Sequence, residues 1–413
     1  MVKSVEIPKF GVLSGLKVLV NSVATALPFC AEIFAEMGAD VIMIEPPKGI
    51  DVVRWATNGW GEENDRRNIR SMSLDVLQPE GKEVFLKLIK NADIWLESSK
   101  GGQWKSWGYT DEFLWEYNPK LVITHLSGFG QSGVESYVKR AGYDQTIQAF
   151  SGMMVLNGFP DRDPVLATPY PTDFYAGLFC FGSSIAAYTK VKETGIGESI
   201  DVAQYECALR CMGPFPMYYL QERVQEVRLG SRHPRTAGVG YYTCKDGKGV
   251  YCIFIGVAMI EKLVRFLGLE YGSEEFPEGI ARVLLDTKGG PIFQAKLIEY
   301  FESKTALEVE QEIGGMGLPC ARVMDYEMTE SDPHYIARES YTEWETLYGE
   351  KVKGVNTVPK FKNYPSQIWR GAPSIGLDNE DILSEIGLDN EEIKSLYDKK
   401  ILKKSDIVRA LSY

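Results

Sequence analysis

Residues 17 to 44 read as Lys17-Val18-Leu19-Val20, a helical segment from about Pro28 to Met37, Gly38, and then Val41-Ile42-Met43-Ile44. The two short runs are apolar without alternation, the pattern of strands buried on both faces. Gly38 stands where a helix C-cap needs a left-handed residue. A strand, a helix and a second buried strand in this order build a parallel sheet. The same grammar continues outward. Glu80 to Asn91 carries Val84, Phe85, Leu88 and Ile89 at helical spacing, and Ile94-Trp95-Leu96 and Leu121-Val122-Ile123-Thr124 are further buried strands. The expected fold class is therefore α/β, a large domain with a parallel Rossmann-like sheet covered by helices on both faces.

That layout commonly serves nucleotides, yet the turn after the first strand is Asn21-Ser22-Val23-Ala24-Thr25-Ala26, without glycine. A dinucleotide fingerprint needs glycines so that backbone can approach a pyrophosphate, so NAD is disfavoured. No GxxxxGK[ST] occurs either, which excludes a P-loop.

From Thr172 a long helix runs past Gly177, Phe181 and Ala186 toward Lys190 and ends at Gly195. Ile200-Asp201-Val202 reads as a strand and Gln204 to Leu209 as a helix, while residues 211–240 read as linker and loop. A smaller α+β unit begins near Tyr241, with strands at Gly240–Cys244 and Gly249–Ile255 and helices at Ala258–Leu267 and Phe293–Ser303. Residues 335–370 read as extended and irregular, and Glu380 to Tyr397 as one acidic helix. The expected division is 1–222 for the first part of the large domain, 223–334 for the small domain with its linkers, and 335–413 for a return segment.

Composition narrows the function classes. Among 413 residues, 45 Lys and Arg stand against 57 Asp and Glu, a formal net charge of −12. A nucleic-acid partner calls for a basic face, so none is expected. No apolar run reaches the roughly 18 residues of a membrane span. Met1-Val2-Lys3-Ser4-Val5-Glu6 lacks the apolar core of a signal peptide, and a cytoplasmic location is the expectation. Seven cysteines without a CxxC pair, and three scattered histidines, argue against a disulfide framework or a metal site. The cysteines read as small buried hydrophobes.

Asp173 is the main chemical candidate. It follows Pro169-Tyr170-Pro171-Thr172 at a helix start, where an aspartate can cap the helix or complement its dipole. The same position also suits a carboxylate nucleophile toward an activated acyl carbon. Gly128-Phe129-Gly130-Gln131 follows a strand and offers backbone N–H groups to an oxyanion. Ala237-Gly238-Val239-Gly240 is a second glycine loop, either a lid or a linker. Arg66-Arg67-Asn68-Ile69-Arg70 and Lys100 are cation sources for a phosphate-bearing ligand, expected just past the strand ends.

Together these segments resemble the class III CoA-transferases, the CaiB/BaiF family. The resemblance is carried by Gly38-Ala39-Asp40-Val41-Ile42-Met43-Ile44-Glu45, Asn118-Pro119-Lys120-Leu121-Val122, Gly128-Phe129-Gly130-Gln131 and Gln148-Ala149-Phe150-Ser151-Gly152. It continues through Thr194-Gly195-Ile196-Gly197-Glu198 and Gly317-Leu318-Pro319-Cys320. Ser366-Gln367-Ile368-Trp369-Arg370-Gly371-Ala372-Pro373 is similar to the branch of the carnitine and bile-acid enzymes, and Trp95 to Gly102 to the bile-acid branch.

The resemblance implies a homodimer of interlocked chains and an active-site aspartate at Asp173. It implies coenzyme A as substrate, with no permanently bound cofactor and no metal. CoA would pass from an acyl-CoA to a free acid through an aspartyl anhydride and an aspartyl-CoA thioester. Lys100 matches a basic CoA position, Asn68 and Arg70 the adenine segment, and Lys105 stands near a basic residue that Ser106 or Trp107 replaces. Carnitine or crotonobetaine-type acids are the first substrate expectation, with bile acids or short 2-hydroxy and 2-enoyl acids as alternatives.

An acyl-CoA racemase is the rival on the same fold. Its histidine would fall within Gly142-Tyr143-Asp144, where Tyr143 stands, and a tyrosine with an ordinary pKa near ~10 shuttles protons poorly at neutral pH. A non-catalytic acyl-CoA binding protein would have no use for Asp173.

Overall fold

The computed structural model describes residues 7–48, 51–54 and 59–405; Met1–Glu6 lies outside them. Contacts divide the chain into two units, one of residues 1–153, 167–223 and 339–413, the other of 154–166 and 224–338. The short excursion at 154–166 has no signature in the sequence.

The first unit is built on six parallel strands, β1 (Lys17–Asn21), β2 (Asp40–Glu45), β3 (Arg70–Ser73), β4 (Ile94–Ser98), β5 (Val122–Ser127) and β6 (Glu198–Ala203). Their order is β3-β2-β1-β4-β5-β6. The chain runs outward from β1 in one direction and from β4 in the other, so the crevice between the carboxyl ends of β1 and β4 is the topological switch point. Successive side chains of a strand face opposite sides, and each side here has its own core. Leu19, Ile42, Trp95 and Ile123 pack with the helix Pro79–Asn91. Val18, Val20, Ile94, Leu96 and Val122 pack beneath the helices Ala26–Glu36 and Pro171–Thr194.

The strand β3 carries one apolar residue among Arg70-Ser71-Met72-Ser73, which is why periodicity does not reveal it. It is buried because the C-terminal segment covers its edge: Ser71 N donates to Asp378 Oδ2 at 2.8 Å and Ser73 N to Asn379 Oδ1 at 2.9 Å. Three other expectations are corrected. Residues 211–240 contain the helix Phe215–Glu222. Its prolines fall at the N-cap and first turn, where a missing N–H is harmless. The segment 335–370 holds an antiparallel hairpin, Tyr341–Glu345 with Lys351–Val355. The acidic C-terminal helix is two helices, Asn379–Glu385 and Asn390–Asp398. Gly387 at φ +87° separates them, and Asp389 caps the second by accepting from the N–H groups of Glu391 and Glu392.

The second unit is α+β. Its antiparallel sheet, β7 (Val239–Thr243), β8 (Gly249–Ile253) and β9 (Cys320–Arg322), packs on the helices Val257–Phe266, Gly289–Ser303 and Ala306–Gly315. Phe254, Phe293, Leu297 and Phe301 fill the core between them. Among the described residues no helix is long and apolar enough to cross a membrane. Five cysteines are buried, but Cys320 is half-buried and Cys211 exposed.

Candidate active site

Beside the switch point the carboxyl ends of β1, β4 and β5 open into a cavity of about 230 Å³. Its walls are the turn Val23–Ala26 after β1, Ser98–Lys100 after β4, Leu126–Gly128 at the end of β5, and the loop Arg140–Tyr143. Asp173 and Gln204, each in the first turn of a helix, complete it.

Local chemistry explains how the walls hold their shape. Gly128 and Gly142 cross with almost no separation: a Cβ on Gly142 would lie 2.7 Å from Gly128 Cα. Gly177 does the same one turn beyond Asp173, where a Cβ would meet Ala26 O at 2.7 Å. The helix bearing Asp173 therefore sits against the N-terminal turn of the helix Ala26–Glu36, whose first N–H groups lack intrahelical partners. In the β1 turn Ala24 adopts φ +63°. Its N–H donates to Asp51 Oδ2 at 2.7 Å. Asp51 is in turn bound by Arg66, which also pairs with Glu45 at 3.2 Å.

Asp173 does not cap its helix. The backbone N–H of Thr172 donates instead to Asp144 Oδ1, at 2.8 Å, from the neighbouring helix Asp144–Phe150. Relieved of that duty, the Asp173 carboxylate receives, among the described residues, only the Gln204 amide, with Nε2 to Oδ1 at 2.5 Å. Burial, then the nearby charge of Asp144, raise its pKa from 3.8 to about 7, the Gln204 bond opposing and Asp65 adding a little. A partly desolvated carboxylate that is half ionised near neutrality is a stronger nucleophile than one in solution. Lys100 and Arg140 bring positive charge to the same walls.

The structure brings together only some of the residues singled out from sequence. Asp173, Lys100 and Gly128 share the cavity. Gln131 does not: its N–H is taken by both oxygens of Asp201, at 3.0 and 2.9 Å, and its Oε1 accepts from Gly102 N at 2.8 Å. It lines a separate polar cavity with Lys105, Glu97, Asp111 and His125.

Asn68 and Arg70 are committed elsewhere. Asn68 ties down the C-terminal segment, donating to Gln367 O and accepting from Trp369 N and Arg370 N. Arg70 opens β3 and so lies at the amino edge of the sheet, opposite to the expected side. It is paired there with Asp40 and Glu385, each at 2.7 Å. In the second unit, Gly238 at φ +74° has no room for a side chain against Phe254, and Gly240 lies in β7 against Arg232. Both glycines are packed backbone positions in that unit.

Sequence reasoning missed Gln204, Arg140 and the role of Asp144. Gln204 had a signal, being the first residue past the run Ile200–Ala203 and hence at a strand's carboxyl end. Arg140 had none. His125 is a further surprise, wedged between Glu97 (2.6 Å) and Asp111 (2.9 Å). Burial alone would lower its pKa, but these two carboxylates outweigh it and raise the value to about 9.

Against known proteins, the model of CoA-transferase family III matches residues 13–379. The chain belongs to that family. A CaiB/BaiF family protein from Brucella suis is 27% identical, with a TM-score of 0.77 over 91% of this chain and all of the other. The Rv3272 protein of Mycobacterium tuberculosis, at 21% identity, shares the fold alone; its TM-score is 0.78 over 90% of this chain and 99% of that one. Family III enzymes work on CoA thioesters, and the family includes racemases as well as transferases.

Proposed function

We propose that this family III enzyme transfers CoA from an acyl-CoA to a free carboxylic acid, with Asp173 as the nucleophile. The observation that supports it best is an Asp173 that caps no helix and is largely shielded from water, on a cavity bearing two cations at the sheet's carboxyl edge. The carboxylate attacks the thioester carbonyl, its oxygen bonding to carbon as the carbon–sulfur bond breaks and thiolate leaves. The thiolate then adds to the aspartyl carbonyl of the anhydride and expels the acyl group as a carboxylate. An acceptor acid runs these two steps in reverse and departs as its CoA ester. Lys100 and Arg140 suit the phosphates of CoA or an entering carboxylate, and the N–H of Ala26, which opens the helix Ala26–Glu36 on the cavity wall, suits a developing oxyanion.

Transfer is favoured over racemisation by the cavity wall, to which this position contributes Tyr143 rather than a histidine. Among acids, carnitine or crotonobetaine-type acceptors remain the first reading, on the kinship of residues 366–373; those residues pack against Asn68 and do not line the cavity. A homodimer is supported by Leu178, Phe179, Phe215, Met217 and Leu220, large apolar side chains left exposed in the first unit.

The test is covalent trapping. Incubation with acyl-CoA, quenching and peptide mapping should find CoA on the Asp173 peptide. Asp173→Asn should bind CoA, carry no adduct and transfer nothing. Undiminished transfer by that variant removes Asp173 from the chemistry.

A further inference from the structure

We propose that the side-chain amide of Gln204 is a second catalytic group, donating a hydrogen bond to the charge that develops on Asp173 Oδ1 each time the aspartyl carbonyl is attacked. The inference rests on Asp173 as the nucleophile.

The direction of the bonds in the surrounding network follows from backbone N–H groups, which can only donate, and from the Asp144 carboxylate, which accepts. Ala167 N donates to Gln148 Oε1 at 2.9 Å, so the nitrogen end of Gln148 faces Asp144 Oδ2, at 2.6 Å. Thr172 N donates to Asp144 Oδ1, and the Thr172 hydroxyl gives its one proton to the same oxygen at 2.7 Å. The hydroxyl oxygen is then an acceptor, and it faces Gln204 Nε2 at 3.0 Å. Gln204 therefore presents nitrogen, not oxygen, to this corner of the site. Its second N–H points at Asp173 Oδ1, 2.5 Å away. Gln204 is 5% exposed, so its amide is largely held within the protein.

This geometry separates the two oxygens of Asp173. Oδ2 is left to attack the donor carbonyl and becomes the bridging oxygen of the anhydride. Oδ1 becomes the aspartyl carbonyl oxygen. When thiolate adds to Cγ, a sulfur–carbon bond forms and the carbonyl electron pair moves onto Oδ1. The bond from Cγ to Oδ2 then breaks, and Oδ2 leaves within the acid. When the acceptor carboxylate later adds to the aspartyl thioester, the pair moves onto Oδ1 again. The Gln204 N–H already points at the atom where charge appears in both steps, so no reorganisation is needed.

Two readouts test this. Gln204→Met keeps the bulk and removes the donor, and should lower kcat by roughly 100- to 1,000-fold with little change in KM for acyl-CoA. Gln204→Glu keeps the shape without an N–H and should lose as much. The second readout is oxygen labelling. With an acceptor acid carrying 18O in both carboxyl oxygens, each turnover places one labelled oxygen at Oδ2. After many turnovers the Asp173 peptide of the unaltered enzyme should carry a single label, because Oδ1 never exchanges. In Gln204→Met the carboxylate can turn over between cycles, and double labelling should accumulate.

Double labelling in the unaltered enzyme, or Gln204→Met turning over within about threefold of it, overturns the inference. Asp173→Asn assayed alongside separates the two failures. If it is inactive while Gln204→Met is unimpaired, Gln204 alone loses its role; if it still transfers CoA, the nucleophile itself was misassigned. Urea unfolding of each variant checks that lost turnover is not lost folding.

Discussion

Replacing Asp173 with asparagine should stabilise the protein while abolishing its chemistry. A buried carboxylate whose pKa rises from 3.8 to about 7 holds its proton in the folded state over a range where the unfolded chain has released it. The folded state then binds more protons, so stability falls as pH rises between those two values and is constant above them. The span is roughly three pH units, and at about 1.36 kcal/mol per unit the charged group costs at most about 4 kcal/mol at pH 8. At pH 5 the same linkage leaves under about 2 kcal/mol, and below the unfolded value almost nothing. Asparagine has the same shape and no charge, and its amide can offer oxygen to Gln204.

Urea unfolding of the two proteins at pH 8, 5 and 3.5 measures the difference directly. The variant should be the more stable at pH 8, with the gap closing toward acid. A variant that is less stable, or a gap that does not change with pH, would falsify the claim that burial and Asp144 hold the Asp173 carboxyl above its usual pKa.

Three further outcomes follow from the same geometry. Gly142→Ala places a methyl group 2.7 Å from Gly128 Cα, so the backbone must move; a loss of about 1–3 kcal/mol and of most turnover is expected, by unfolding and steady-state assays. Lys100→Ala and Arg140→Ala should each raise KM for acyl-CoA with a smaller change in kcat, and rising salt should shrink the difference. His125, raised to about 9 between Glu97 and Asp111, gains its proton more readily folded than unfolded. Its contribution is full below its ordinary 6.5 and lost as pH climbs to about 9. His125→Gln should remove that part of the slope, so unfolding free energy should fall less between about pH 6.5 and 9 than in the unaltered protein.

The α/β layout was legible because β1, β2, β4 and β5 are apolar runs whose burial on both faces leaves no alternation to confuse. The strand β3 was not, since its stability comes from side chains some 300 positions away, Asp378 and Asn379, and no local pattern records them. The site divides in the same way. Asp173 and Lys100 sit in motifs that the resemblance picks out, and both line the cavity. Arg70 was drawn to the wrong edge of the sheet because a basic cluster reads the same at either end of a strand. The capping role suggested for Asp173 failed for a tertiary reason: Asp144, 28 residues away, reaches Thr172 N first. Gln204 belongs to the same class, a residue whose importance lies in what the fold places beside it.

The central claim is that Asp173 moves CoA between acids and leaves the α-carbon alone. It is tested most directly by incubating the protein in D2O with butyryl-CoA, crotonobetainyl-CoA and cholyl-CoA, each with a pool of free acids, and following the CoA esters by mass spectrometry. New CoA esters free of α-deuterium are predicted, and their identity names the acceptor. Deuterium at the α-carbon with no new ester would contradict the claim and make the enzyme a racemase.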